Sequence, residues 1–593
     1  MLTSYQVRAK MFQHGYKVLI TNFNVIKRHH QVSTKTKTIL QPRPDVVPVF
    51  RRANNFTDKV ALRDTFGHYT YGNLFMGAKE LSNEISVNIG TGKNSQNVLF
   101  LCGNDANYVV SQWAIWMSGQ IAIPLSPLHP QNLLEYYASD SGAKLIVTTL
   151  EYADLMQRVA KNTNTKLHVL DDKLAKNIMQ MNPTRKGDME AGLSSDFYNK
   201  SNAMILYTSG TTGKPKGVVL SHKNLNSQIT GLIDSWRWTE KDSILHTLPL
   251  HHIHGIVNAL LCPHYIGAKC IMLPKFDANT CWAYLLGINT NSDDRRISVF
   301  MAVPTIYSKL INEYQKVFSG DPKMVEYIHG YLKNRVRLMV SGSAPLPATV
   351  HKKWFEISGH KLLERYGMTE IGMCLSNLYD SDREPGYVGV PLPGVSVRLA
   401  SKIDDDEDNY ITHLEVKNVN GNISTNLLDW TQHGDPIGEL QVKGDTVFRE
   451  YHNKIIATQQ EFTIEGWFKT GDIAQYSLKE KKFKMLGRQS VDIIKSGGFK
   501  ISALEVETYL LEHPQIAECV VLGVKDEDFG ERLLAVIVLK PNMKKLNLDE
   551  FKTWAEERMP KYCIPRQVMY LPELPRNSMG KINKKDLKET LAL

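Results

Sequence analysis

The segment Tyr207-Thr208-Ser209-Gly210-Thr211-Thr212-Gly213-Lys214-Pro215-Lys216-Gly217 places three glycines, four Ser/Thr hydroxyls and two lysines within eleven residues. Glycine lets a backbone turn through positive φ and come close to a ligand. Backbone N–H groups and hydroxyls can then cradle phosphate oxygens while a lysine supplies positive charge. A Walker loop needs Gly-Lys-Ser/Thr opening a helix; here Pro215 follows Lys214, so this is a phosphate cradle of another kind. The plain alternative is a Ser/Gly-rich surface loop.

Such a loop has to be held by regular elements. Ala203–Tyr207 runs into it as an apolar strand, one of a series that includes Val98–Cys102, Ile121–Leu125, Lys144–Thr149, Ser243–Leu248, Lys269–Leu273, Ile297–Val303 and Arg335–Val340. Amphipathic stretches alternate with them; Gly103-Asn104-Asp105 can cap a helix over Tyr108 to Met117, which Gly119 ends. This alternation predicts an α/β fold with mostly parallel, doubly wound sheets covered on both faces. The rhythm breaks beyond Thr349, and the acidic run Asp404-Asp405-Asp406-Glu407-Asp408 reads as a solvated insertion loop. From Gly487 a short α+β unit follows, with helices near Ala503–His513 and Leu548–Arg558 and strands near Cys519–Val524 and Leu533–Leu539. The expected division is a leader over 1–44, a large unit over 45–487 and a small mobile unit over 488–593.

Hydrophobic residues at 42% and charged residues at 22% fit a globular enzyme rather than a disordered chain. The net charge of +10 suggests nucleic acid until it is located. Residues 1–43 hold eight basic side chains and no acidic one, so the other 550 residues carry only +2. That leaves no broad basic face for a phosphate backbone. The acid-free, Ser/Thr-containing leader has the composition of a mitochondrial transit peptide, which points to the mitochondrion and its matrix. Val257 to Leu273 is broken by Pro263, His264, Gly267 and Lys269, so no integral membrane segment is expected. Seven cysteines without a CxxC pair predict reduced thiols, with neither a disulfide framework nor a zinc site.

Further motifs follow the glycine-rich loop in order: Ser341-Gly342-Ser343-Ala344-Pro345, Tyr366-Gly367-Met368-Thr369-Glu370, Trp467-Phe468-Lys469-Thr470-Gly471-Asp472, Gly487-Arg488 and Pro575-Arg576-Asn577-Ser578-Met579-Gly580-Lys581. The ordered set, covering about residues 48 to 590, resembles the adenylate-forming superfamily of acyl-CoA synthetases, peptide-synthetase adenylation domains and luciferases. The resemblance implies activation of a carboxylate by ATP and transfer of the acyl group to coenzyme A. ATP is then met by Thr208, Ser209, Gly210, Thr211, Thr212, Gly213, Lys214, Pro215 and Lys216, by Ser343 and Ala344, and by Tyr366, Gly367 and Thr369. Asp472 holds the ribose, Arg488 at the domain junction also binds ATP, and Glu370 holds Mg²⁺. Lys581 bridges carboxylate and α-phosphate as two anions are brought together. After adenylation the small domain turns about Arg488–Asp492, and Lys495, Gly497, Gly498 and Lys500 line the coenzyme A tunnel. Ser490 departs from the Asp or Lys common at that hinge, and the stretch from Arg488 to Gly498 is one residue longer than in many members.

The same resemblance sets His252, in Pro249-Leu250-His251-His252-Ile253-His254-Gly255, at the entrance of the acyl pocket as a catalytic residue. His254, Ser341, Arg365 and Lys309 join it as acid-binding residues. An arginine buried beside a single substrate carboxylate would cost several kcal/mol, whereas a second carboxylate would pair with it in bidentate fashion. With Val303-Pro304-Thr305-Ile306-Tyr307 and Leu362-Leu363-Glu364-Arg365-Tyr366, the chain resembles the malonyl-CoA synthetases. That implies malonate as preferred acid and methylmalonate as a tolerated one. A medium-chain acyl-CoA synthetase is the alternative within the class, and an oxygenase on the same fold the alternative outside it. Oligomeric state leaves no mark in the sequence.

Overall fold

The computed structural model describes residues 45–91, 94–171, 173–208, 214–288, 296–403, 409–428, 434–576 and 582–593. The leader, the acidic run 404–408, Ser209 to Gly213 and Asn577 to Lys581 lie outside the described residues, as does the side chain of Lys500.

The expected strands form two sheets of the large unit. In one, Asn97–Leu101 is flanked in parallel by Ile121–Pro124 and Leu145–Thr148, and Ile121–Pro124 leads on to Asn202–Thr208. The helix Ala106–Met117 starts where the sequence asks, with the Asp105 carboxylate accepting from Asn107 N–H at 2.8 Å. In the other, Lys269–Met272, Ser243–His246, Val299–Ala302, Leu338–Ser341 and Leu363–Met368 run parallel. From Leu363–Met368 onward every further pairing in that sheet is antiparallel, through Gly372–Ser376, Tyr387–Pro391, Lys482–Arg488 and Phe468–Ser477. Short turns close Leu363–Met368 onto Gly372–Ser376 and Phe468–Ser477 onto Lys482–Arg488, as only antiparallel neighbours allow, whereas Tyr387–Pro391 and Lys482–Arg488 are brought together from distant parts of the chain. The sheets are therefore mixed. The parallel half is the one that the alternating sequence pattern describes.

The apolar run after Val257 lies inside this unit as a π-helix, His254–Leu261, continued by the helix Cys262–Ile266. No helix among the described residues is long and apolar enough to cross a membrane. All seven cysteines are buried free thiols.

The small unit is a five-stranded sheet with Gly530–Leu539 at its centre and Ile516–Asp526 paired along its length, packed against the helices Ala503–Leu510 and Leu548–Glu556. The large unit's core ends at Phe483 and the small unit's begins at Ile494. A buried ion cluster stands between them. Lys584 Nζ, at the start of the helix Lys584–Thr590, lies 2.6 Å from Asp492 and 2.7 Å from Glu507. Asp492 in turn accepts from the Arg488 N–H at 2.9 Å. Burial alone would lower the Lys584 pKa, but the two carboxylates outweigh it and raise it.

Candidate active site

The glycine-rich segment joins two antiparallel strands, Asn202–Thr208 and Lys216–Ser221, with Thr208 opposite Lys216. It is the loop of a hairpin, and the Thr208 hydroxyl points back to the Lys216 carbonyl at 3.5 Å. Beyond the loop, Lys214 lies over the Tyr136 ring at 5.3 Å, and Lys216 lies 4.6 Å from the Tyr451 ring and 3.6 Å from Glu461. The loop's own Ser209, Gly210, Thr211, Thr212 and Gly213 are outside the described residues.

Three expected residues meet across the long sheet, Asp472 and Arg488 on paired strands and Tyr366 on Leu363–Met368, three strands further along, and Glu370 follows that last strand. Asp472 and Arg488 are paired in register, which puts their side chains side by side, with Arg488 Nε donating to Asp472 at 3.0 Å. The Tyr366 hydroxyl donates to the other Asp472 oxygen at 2.5 Å. Burial acts to lower the Arg488 pKa, and Asp472 more than offsets it. Glu370, 5% exposed, accepts from the Tyr451 hydroxyl at 3.0 Å, and burial raises its pKa. Gly367 is required where it stands, because a Cβ there would lie 2.1 Å from the Gly372 carbonyl oxygen.

A second group gathers around Arg365. The guanidinium donates to the Ser343 hydroxyl at 2.9 Å, and that hydroxyl lies 3.2 Å from His254 Nδ1. Arg365 is 4% exposed, and burial pushes its pKa down to about 9. Among the described residues no carboxylate pairs with it, and its Nε is buried without a hydrogen-bond partner. Ser343 carries this bridge at φ +68°, a left-handed conformation that disfavours a non-glycine residue. His252 lies 4.0 Å, ring to ring, from His251. Burial, His252 and His129 together press the His251 pKa down to about 2.

Several expected placements differ. Ser343 was expected on the nucleotide side, yet its hydroxyl is engaged with Arg365 and His254, while Ala344 is exposed. Ser341 pairs in register with Glu364, so strand alternation puts its side chain on the Glu364 face and Gly342 under Arg365. Lys309 does not join the Arg365 group. The buried stripe of the helix Pro304–Val317 is Ile306, Tyr307, Leu310, Ile311 and Tyr314, and Lys309 points away from it, exposed, with its ammonium 5.9 Å from the Phe276 ring. Gly497 and Gly498 form the two-residue hairpin turn between Ile493–Ser496 and Phe499–Ser502, at φ +56° and +82° as such a turn needs, and Lys495 stands on the first of these strands, opposite Lys500. Tyr451 and Asp140 belong to the neighbourhood but carry no motif; only their long-range hydrogen bonds reveal them.

The AMP-binding enzyme family profile matches residues 49–452, and the profile of the AMP-binding enzyme C-terminal domain matches residues 505–581. The chain belongs to this family. Among its relatives in the AMP-binding enzyme family, the mitochondrial malonate–CoA ligase ACSF3 of Xenopus laevis is 45% identical over 546 residues, 91% of either chain. The ACSF3 protein of Mus musculus, also named a mitochondrial malonate–CoA ligase, is 43% identical over 577 residues, 96% of this chain and 95% of its own. Among solved structures, ATP-bound MatB from Rhodopseudomonas palustris superposes with a TM-score of 0.75 at 29% identity, covering 91% of this chain and 98% of MatB. The adenylate-forming architecture, with a large N-terminal and a small C-terminal domain, is thus the fold of this family member.

Proposed function

We propose that this AMP-binding enzyme ligates malonate, and more slowly methylmalonate, to coenzyme A through an acyl-adenylate. One malonate oxygen attacks the α-phosphorus of ATP and diphosphate leaves; the coenzyme A thiolate then attacks the acyl carbon and AMP leaves. The observation that carries the choice of acid is Arg365, a buried guanidinium with no carboxylate beside it among the described residues. A cation in that position has an unmet demand for an anion, and the free carboxylate of a short diacid meets it in bidentate fashion. A fatty acyl chain would leave the demand unmet. The relatives named malonate–CoA ligases support the same reading.

In this reading the 208–217 hairpin loop cradles the phosphates, with Lys214 and Lys216 bringing charge to its far side. Tyr366 and Gly367 face the adenine, Thr369 the phosphates, and Asp472 the ribose, steadied by Arg488. Lys581 offsets charge as carboxylate and α-phosphate approach. His252 stands at the acyl pocket, and His254 is held for the acid by Ser343. Lys495, Gly497, Gly498 and Lys500 receive coenzyme A in the second step, after the small unit turns about Arg488–Asp492. The unit boundary is set at 487/488, between the two cores.

A magnesium ion suits Glu370, a buried carboxylate whose pKa is raised by burial and, to a smaller extent, by Glu461, and no group of three or more ligating side chains competes for it among the described residues. Bound there, Mg²⁺ would neutralise phosphate charge, keeping the waters and substrate oxygens it prefers. Residues 1–44 act as a transit peptide that brings the enzyme to the mitochondrion and its matrix, in keeping with the relatives named mitochondrial.

AMP formation measured with malonate, methylmalonate, acetate and octanoate, each with and without coenzyme A, tests the proposal. Malonate should lead, acetate and octanoate should trail, and Lys581→Ala should abolish malonate-dependent diphosphate–ATP exchange. Equal kcat/KM for malonate and octanoate would refute the diacid reading.

A further inference from the structure

The hairpin loop of 209–215 is long for the strands that carry it, since hairpins are commonly closed by two to five residues. Both of its ends lead to one carboxylate. On the incoming side, the Tyr207 hydroxyl donates to Asp140 Oδ2 at 2.9 Å, and the Tyr137 ring stacks on Tyr207 with centroids 4.2 Å apart. On the outgoing side, the Tyr136 hydroxyl shares its proton between the Pro215 carbonyl at 2.8 Å and Asp140 Oδ1 at 3.2 Å. A third arm comes from Lys454, whose Nζ lies 3.4 Å from Asp140 Oδ1. Lys454 follows Glu450–Tyr451, the strand paired with the outgoing arm of the hairpin.

Asp140 is an unlikely residue for its own element. It stands in the last turn of the helix Gln131–Ser141, where the helix dipole disfavours negative charge. Its side chain is only 14% exposed, which removes most of the help water could give. Two hydroxyls and an ammonium are what make the position tolerable: Tyr207 belongs to the hairpin, Lys454 follows its partner strand, and Tyr136, on Asp140's own helix, is bonded to the hairpin at Pro215.

We infer that Asp140 is a positioning residue for nucleotide binding: with Tyr207, Tyr136 and Lys454 it ties the two chain segments that flank the glycine-rich stretch, at Tyr207 and Pro215, to a single point, which lowers the ordering cost that ATP has to meet. The inference rests on the reading of 208–217 as the ATP phosphate cradle. Preorganisation of this sort lowers the ordering cost of binding and acts on the ligand the loop holds. It does not touch the acid pocket, where Arg365 and His254 come from other strands and helices.

The test compares the full-length enzyme with Asp140→Asn and Tyr207→Phe. ATP binding is followed by titration calorimetry without acid or coenzyme A, KM is measured for ATP and for malonate, and thermal unfolding serves as the control. Asp140→Asn keeps the shape but loses the charge; a charged hydrogen-bond acceptor of this kind supports about a tenfold loss in ATP affinity. The expected result is that loss in Kd and KM for ATP, with KM for malonate unchanged and the melting temperature within a few degrees of the parent. Tyr207→Phe should show a smaller loss in the same direction, and it carries the test alone if Asp140→Asn does not fold. An unchanged ATP affinity, or equal losses for ATP and malonate, would overturn the inference. A parent enzyme that binds no ATP would overturn the proposed function instead, so the two failures are distinguishable.

Discussion

Replacing Arg365 with methionine should separate two effects that one side chain combines. Methionine keeps an unbranched apolar stem against Gly342, which a bulkier residue would not, and removes the charge. In the unliganded enzyme, burial moves the guanidinium from 12.5 to about 9. At 1.36 kcal/mol per unit, that is an upper bound of about 5 kcal/mol of unfavourable burial. The Ser343 hydroxyl relieves only part of it, being a neutral partner. Arg365→Met should therefore raise the melting temperature of the free enzyme. Malonate should suffer in the opposite sense: losing a buried cation that pairs with a carboxylate costs about 3–5 kcal/mol, or about 10² to 4 × 10³-fold in kcat/KM. Acetate, which brings no second carboxylate, should be used about as well as before. The assay is AMP release at subsaturating acid, read beside a thermal melt with and without malonate. If acetate and malonate fall by the same factor, or if the variant is less stable than the parent, the reasoning fails.

Glu364 gives a pH prediction. Burial raises its folded pKa from 4.5 to about 8, so its contribution to stability is fully present below about pH 4.5 and is lost as pH rises toward 8. Glu364→Gln keeps an acceptor for the Gly386 N–H and cannot ionise, so the urea midpoints of parent and variant should lie close together near pH 5 and separate toward pH 8, where the unfolding free energies differ by several kcal/mol, the variant being firmer. Parallel midpoints across that range would count against it. At Ser343, alanine removes the hydroxyl that joins Arg365 to His254, and KM for malonate should rise about fivefold to tenfold. Ser343→Gly should do the same but unfold at higher denaturant than Ser343→Ala, because glycine is at ease at φ +68°. Lys584→Met should cost about 3–5 kcal/mol by leaving Asp492 and Glu507 unpaired, and adding Glu507→Gln should restore part of it in equilibrium unfolding.

Where local rules govern, the sequence was legible. The apolar runs at 98–102, 121–125 and 269–273 are strands, and Asp105 caps its helix because a short acceptor beside the first turn has little else to do. The Gly497–Gly498 pair forms the turn its conformation suits. The antiparallel half of the long sheet was not legible, since its strand order depends on pairings between distant segments, such as Tyr387–Pro391 with Lys482–Arg488. The direction of the Lys309 side chain was not legible, because a motif fixes where a helix starts, while the buried stripe fixes which way a side chain points. Ser343 lay in the right motif, but its hydroxyl's partners come from the segments at 254 and 365 and could not be read from spacing. Asp140 left no trace at all, because a carboxylate near a helix end looks like surface until Tyr207, Tyr136 and Lys454 close over it.

The Lys584 cluster also orders events during synthesis. Asp492 and Glu507 are made well before Lys584, and until that ammonium is delivered the two carboxylates would be buried as uncompensated like charges. A nascent chain that has emerged only through its five-stranded sheet therefore holds an incomplete interior and should stay loose. The large unit has no such dependence on Lys584 and is free to compact while the ribosome is still working on the rest.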